Sequence, residues 1–468
     1  TTLGQAGNGV PIVNIAAPNG GGLSHNKFSD YNVGQQGVIL NNAINRTQET
    51  QLGGIILGNP NLGGRAANVI LNEVNGGSPS QLKGYTEVAG QSAHVIVANP
   101  YGVSCNGCGF INTPKATLTT GKPVIENGQI QRYQVDQGSV AIEGAGLNAS
   151  NIDQFEIITR SAKINAEIQA KHLAVIAGAN DVDAKTLNAT ARTANPADAP
   201  QLAIDSSALG GMYAGAIKLV GTEAGVGVKL DGKLIASGGD IQLDANGQLS
   251  LAETSATGAV NVKAASLDAR GPVYAGTALT VQTQGNLTNR QTLAARDSIS
   301  LSAGGQLTNA GAIEAGVNAD GSRNANGDLS ITAQNLDNTG KSLTASRSLT
   351  VNTAQTLNNQ GGTLSGQTAA ISAGTLDNRN AGKVQSNTRK AIAPQNDALA
   401  APAPVAATAT NFSWPVGPPQ VTEYQALLAA EARVVQVMPS GLVMTRFPVP
   451  VDATATNFCC PVGPPHTT

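Results

Sequence analysis

The sequence predicts an all-β fold, a β-helix in which each circuit of the chain adds one thin coil. Three observations carry that expectation: small residues dominate, a unit of about 20 residues recurs, and apolar and polar positions alternate within the unit. The 468 residues include 55 Gly and 42 Asn, but aromatic residues make up only 3%. Aromatics usually supply much of a core's buried area, so the roughly two to four ordinary globular cores that this length allows would be underfilled. Simple disorder is also excluded, because 41% of residues are apolar and the net charge is −2.

The repeat is carried by Leu287-Thr288-Asn289, Leu307-Thr308-Asn309, Leu336-Asp337-Asn338, Leu357-Asn358-Asn359 and Leu376-Asp377-Asn378, with Leu267-Asp268-Ala269 as a weaker first member. Successive leucines lie 20, 20, 29, 21 and 19 residues apart. The long interval contains the polar stretch 318–327, which reads as a loop inserted into one repeat. Runs such as Ser298-Ile299-Ser300-Leu301-Ser302 have the period of a half-buried strand. Each unit thus predicts one coil with Leu, Ile, Val or Ala inside and Ser, Thr, Asn or Gln outside. Asn at the corners tolerates left-handed backbone and can bond its neighbour in the next coil. A solenoid from Val33 to about Ser386 would hold roughly 15 to 18 coils, a stalk on the order of 70 to 85 Å at ~4.8 Å per coil.

The first 200 residues keep the strand pattern without the strict repeat, as expected of a capping section that shields exposed backbone at a solenoid's end. The last 78 residues hold 12 of the 22 Pro and the only Trp. Residues 391–409 read as a Pro/Ala linker, 423–438 as one short helix, and 411–419 recurs at 457–465.

Twenty-eight basic against 30 acidic residues provide no field for a nucleic-acid backbone or anionic lipid. No apolar run reaches the ~20 residues of a membrane-spanning helix, and the chain begins without a signal-peptide pattern, so it reads as mature or truncated. No catalytic residue, metal site or cofactor is expected. Polysaccharide lyases and glycosidases built on β-helices gather carboxylates or basic residues on one face, whereas here Asp and Glu are spread along the chain. Asp320 lacks the acidic spacing of a Ca²⁺ loop.

Two motifs remain: Asn59-Pro60-Asn61-Leu62 and Asn99-Pro100-Tyr101-Gly102-Val103. Alone, each is a turn, since the residue before Pro leaves the helical region and Asn caps locally. Together, 40 residues apart, they resemble the signature motifs of the two-partner secretion domain of filamentous haemagglutinin-like exoproteins. Residues 22–33, 67–74, 105–113 and 159–166 agree with that family, and the Leu-x-Asn units resemble its haemagglutinin repeats. The two-Cys variant at Cys105 and Cys108 is most similar to contact-dependent growth inhibition exoproteins.

The resemblance implies a right-handed parallel β-helix with an irregular N-terminal cap and extra-helical strands. It implies a secretion domain at 1–240, repeats at 241–390 and a tail of unassigned role at 391–468. It further implies passage through the periplasm, recognition by the periplasmic modules of an outer-membrane partner transporter, and folding at the cell surface. There the stalk would serve adhesion to a host or neighbouring-cell receptor, or contact-dependent growth inhibition; a β-helix polysaccharide lyase or glycosidase is the alternative. The Asn-Pro motifs either contact the transporter or stabilise the cap. Cys105 and Cys108 lack a second ligand pair for zinc and a βαβ setting for redox catalysis. In a chain that crosses the oxidising periplasm they are expected to form a structural disulfide.

Overall fold

The alternation in the repeats becomes strand with one face turned inward. In Ser298–Asn309, the side chains of Ile299, Leu301, Ala303 and Leu307 are buried while Ser300 and Gln306 are exposed. The computed structural model describes residues 1–193 and 199–394. The helix expected at 423–438, the paired segments 411–419 and 457–465, and Cys459-Cys460 lie outside the described residues. The last described strand, Lys383–Pro394, runs into the segment read as a linker.

Each coil has three faces, and each face stacks in parallel on the next coil. One face begins with Leu23–Phe28 on Val69–Val74 and continues through His94–Ala98, Lys115–Thr119, Gln154–Thr159 and His172–Ala177 to Lys383–Pro394. Among the described residues, fifteen strands follow one another on this face, a length of about 67 Å at the spacing of paired strands. A second face carries Ser80–Leu82, Val103–Cys105 and Ser139–Ile142; a third carries Val38–Asn42, Tyr85–Gly90 and Cys108–Ile111. The stack starts earlier than the expected Val33, since Pro11–Asn14 already pairs in parallel with Val38–Asn42. Thr2–Gln5 then caps it as an antiparallel strand. Inward-facing Leu, Ile, Val and Ala of all coils form one continuous core.

The repeat asparagines form a ladder. Nδ2 of Asn289 donates to Oδ1 of Asn309 (2.9 Å), Asn309 to Asn338 (2.8 Å), Asn338 to Asn359 (2.7 Å) and Asn359 to Asn378 (2.6 Å). The expected left-handed backbone is not what selects them. The asparagines with positive φ among the described residues are Asn112, Asn127 and Asn380, none of them in the ladder. It is the buried side-chain amide that is required.

Among the described residues, extra-helical strands appear in two places. Thr47–Thr50 and Gly54–Leu57 form an antiparallel hairpin. Lys122–Glu126, Gln129–Val135, Asn180–Asp183 and Ala189–Ala191 form a four-stranded antiparallel sheet. That sheet lies over the outer side of the first face, where Tyr133, Val135, Val182 and Leu187 bury Leu23, Leu71, Ile96, Ile158 and Ile176. The outer column of Leu71 and Ile96 holds Thr117 and Glu156 under the cover, and past it runs through the polar residues Gln242, Asn261, Thr280 and Ser300.

Candidate functional site

Both Asn-Pro motifs form tight corners, and in each the asparagine side chain is the fastener. Asn59 caps the short 3₁₀ turn Pro60–Leu62, which Pro enters with its φ already set and which ends at left-handed Gly63. Its Oδ1 accepts the Asn61 backbone N–H at 2.9 Å, and its Nδ2 donates to the carbonyls of Ile15 (2.9 Å) and Asn41 (2.8 Å). Asn61 reaches the Asn14 carbonyl at 3.2 Å, and Leu62 is buried in the core. The first motif therefore ties the third strand face to the segment linking the cap strands to Leu23–Phe28.

Asn99 is fully buried and repeats the pattern one corner away. Its Oδ1 accepts the Tyr101 N–H at 3.0 Å, while Nδ2 donates to the Ser78 carbonyl (2.9 Å) and the Ser80 hydroxyl (3.0 Å). Gly102 has φ +124°, and a Cβ there would stand 3.0 Å from the Ser139 carbonyl, so only Gly fits. Val103 points into the core, whereas Tyr101 is 47% exposed. The two motifs share no hydrogen-bond partner; they lock separate corners of the first coils.

Beside the second corner is an open cleft of about 390 Å³. Pro100 and Tyr101 form one wall, with Glu73, Lys122, Gln134 and Asp136 around it. Glu73 accepts from His25 Nε2 at 2.5 Å, and this bond, reinforced by the nearby positive charges, holds its carboxyl below the usual range. Under the cover sheet, His94 Nε2 lies 2.8 Å from Thr117 Oγ1, which donates to Glu156 at 2.7 Å; Lys115 pairs with the same carboxylate at 2.6 Å. With its hydroxyl proton committed to Glu156, Thr117 can only accept from His94, so the imidazole carries its proton on Nε2.

Cys105 and Cys108 are joined by a disulfide across the corner that follows Val103, with both sulfurs in the core. Among the described residues, no three or more His, Cys, Asp or Glu come together as metal ligands. Asp320 is occupied by the N–H and hydroxyl of Ser322.

The motif reading missed the fasteners around the first corner. Asn42 spans two coils through the carbonyls of Ala67 (2.9 Å) and Gln91 (2.8 Å), and buried Glu87 accepts the N–H groups of Gln51 and Leu52 at the hairpin tip. Asn41-Asn42 directly after the apolar run Val38-Ile39-Leu40 was the available signal, a polar pair where the strand pattern predicts burial.

Residues 1–251 match the TPS secretion domain, and residues 255–311 and 314–393 match the haemagglutinin repeat. The chain is 44% identical over 443 residues to the 16S rRNA endonuclease CdiA of Enterobacter cloacae subsp. cloacae, covering 83% of this chain and 13% of that protein. It is 46% identical to the tRNA nuclease CdiA of Escherichia coli O6:K15:H31 over 80% of this chain and 11% of the relative. Among solved structures it is similar to the filamentous hemagglutinin secretion domain, with 35% identity, TM-score 0.49, and coverage of 71% of this chain and 94% of that one. The match over its first 251 residues means that the chain belongs to the two-partner secretion family of exported, surface-displayed exoproteins, whose partner is a cognate outer-membrane transporter.

Proposed function

We propose that this chain is the export and display portion of a longer contact-dependent growth inhibition exoprotein. The curated relatives above are named as nucleases, and the chain spans only 11% to 13% of their length, so in this reading the toxic activity belongs to the remainder of such a protein. Adhesion to a host or neighbouring-cell receptor through the stalk is the second reading, favoured by the haemagglutinin repeats. The family matches lend no support to a lyase or glycosidase. Catalysis and nucleic-acid binding have no part in what this portion does. The change of family match between residues 251 and 255 supports a division into a secretion domain and a repeat stalk, with the boundary later than the expected residue 240.

In this reading the transporter's periplasmic modules recognise the first corners of the secretion domain once they have closed, the rest of the chain passes the pore unfolded, and the remaining coils close in order at the surface. The observation that carries the role of the motifs is saturation. Each asparagine amide spends both donors and its oxygen inside the fold and has no donor left for a folded-state partner. Asn59 and Asn99 thus act through the stability of the corners they close, while Tyr101 is what the second motif presents outward.

The test is secretion with and without the cognate transporter, alongside thermal melting of the purified variants. Asn59→Ala and Asn99→Ala are expected to lose export and melting temperature together. Tyr101→Ala is expected to keep the melting temperature and lower export. Normal export of a clearly destabilised Asn99→Ala protein would refute the stabilising role.

A further inference from the structure

The disulfide lies where no oxidant can reach it. Cys105 ends strand Val103–Cys105 and Cys108 begins strand Cys108–Ile111, with Asn106-Gly107 as the corner and Gly107 at φ +78°. The corner is held between two coils. Asn106 N–H donates to the Leu82 carbonyl (2.9 Å), Gly107 N–H to the Gly146 carbonyl (2.8 Å), and Ala145 N–H to Asn106 Oδ1 (3.0 Å). Cys105 pairs with Leu82 on one side and Ile142 on the other, and Cys108 with Leu147. Cys105 is 0% and Cys108 2% exposed.

Thiol–disulfide exchange requires a thiolate and an open line of approach to sulfur. An apolar core denies both, because burial disfavours the thiolate and the neighbouring coils fill the approach. We infer that the Cys105–Cys108 bond forms before this coil folds, by exchange between unfolded chain and a disulfide-bearing oxidant. One cysteine loses its proton, and its thiolate attacks a sulfur of the oxidant, forming a mixed disulfide and releasing the oxidant's other sulfur as thiolate. The second cysteine, also deprotonated, attacks the first, and the sulfur held in the mixed disulfide leaves. Two electrons and two protons pass to the oxidant, whose disulfide becomes a dithiol. Closing a ring between residues three apart needs no tertiary structure, so the unfolded chain can complete it.

The order relative to folding stands independently of the proposed function. The order relative to export rests on it, and places the exchange in the periplasm, before the pore.

The first test uses the full purified chain, reduced in concentrated urea, refolded in reductant and then challenged with glutathione disulfide. Oxidation is read by alkylation and mass, in native buffer and in urea. Oxidation in native buffer is expected to be at least about a hundredfold slower, because it must wait for local opening of the coil; equal rates would overturn the inference. Should the reduced chain not refold, the native oxidised protein is treated with dithiothreitol beside the peptide Cys-Asn-Gly-Cys. Reduction at the peptide's rate would equally overturn it. In cells lacking the transporter, thiol trapping of the periplasmic chain is expected to find it oxidised. Reduced thiols there, with an oxidised surface form in transporter-bearing cells, would refute the periplasmic step while leaving the purified-protein result standing.

Discussion

His94 is the residue whose environment most changes its chemistry. Burial beneath the cover sheet, with Lys115 nearby, lowers its pKa to about 3, so the ring is neutral across the physiological range. Its folded pKa lies below the unfolded value of about 6.5, so the unfolded chain binds the extra proton between those limits and stability falls as pH drops through that window. The slope is at most about 1.4 kcal/mol per pH unit, reduced by whatever contact the ring keeps with water. His94→Gln retains a donor for Thr117 and removes the titration. Urea unfolding at a series of pH values from 6.5 down to 4 should give a flatter dependence for the variant than for the parent. Glu73 contributes with the usual carboxylate sign: its lowered pKa means that stability from the His25 contact is present above the ordinary carboxyl range and lost as pH falls through the folded value. Glu73→Gln should therefore soften the final acid transition.

Among the elements, the asparagine ladder and the inserted loop both stabilise the stack, to different extents. Asn309→Ala removes an acceptor from Asn289 and a donor from Asn338 inside the stack, and should cost about 2 to 4 kcal/mol. At the less buried last rung, Asn378→Ala should cost less, and urea midpoints would rank the two. The loop at 318–327 is folded on itself. Val317 bridges Arg323, Arg323 pairs with Glu314, and the Val317 carbonyl accepts the Tyr274 hydroxyl at 3.2 Å. Leu307 pairs with Leu336 across it, as the 29-residue interval predicts, while Ala312–Ala315 and Ser342–Ala345 pair 30 residues apart. Trimming the loop should preserve that register but uncover Tyr274, now 8% exposed, with a loss of about 1 to 2 kcal/mol. Nitration of Tyr274, read by peptide mass, would detect the uncovering.

Across the whole molecule, legibility follows which faces are covered. In the second half one strand face meets water, so the sequence alternates and the coil length could be read directly, as in Ser298–Asn309. In the first half the cover sheet buries the other side as well. Val95-Ile96-Val97-Ala98 therefore reads as an unbroken apolar run that does not reveal its facing. The hairpin at 47–57 and the cover strands at 122–135 and 180–191 further lengthen individual coils and erase the period. The Asn-Pro corners were legible because Asn and Pro have few alternatives there. Glu87 and the His94–Thr117–Glu156 chain were not, since their partners come from neighbouring coils, far along the chain, whose register local sequence does not give.

The ladder also has a sense of direction. Every amide from Asn289 to Asn359 donates toward the C-terminal coil, and the orientation of Asn289 and Asn309 is pinned by the Gln291 and Gly311 N–H groups that donate to their oxygens. In the proposed order of closure, the aligned amides of these coils leave a donor at the C-terminal end of the last coil closed. A newly arrived coil brings the acceptor that end lacks, so each addition is favoured by the one before it.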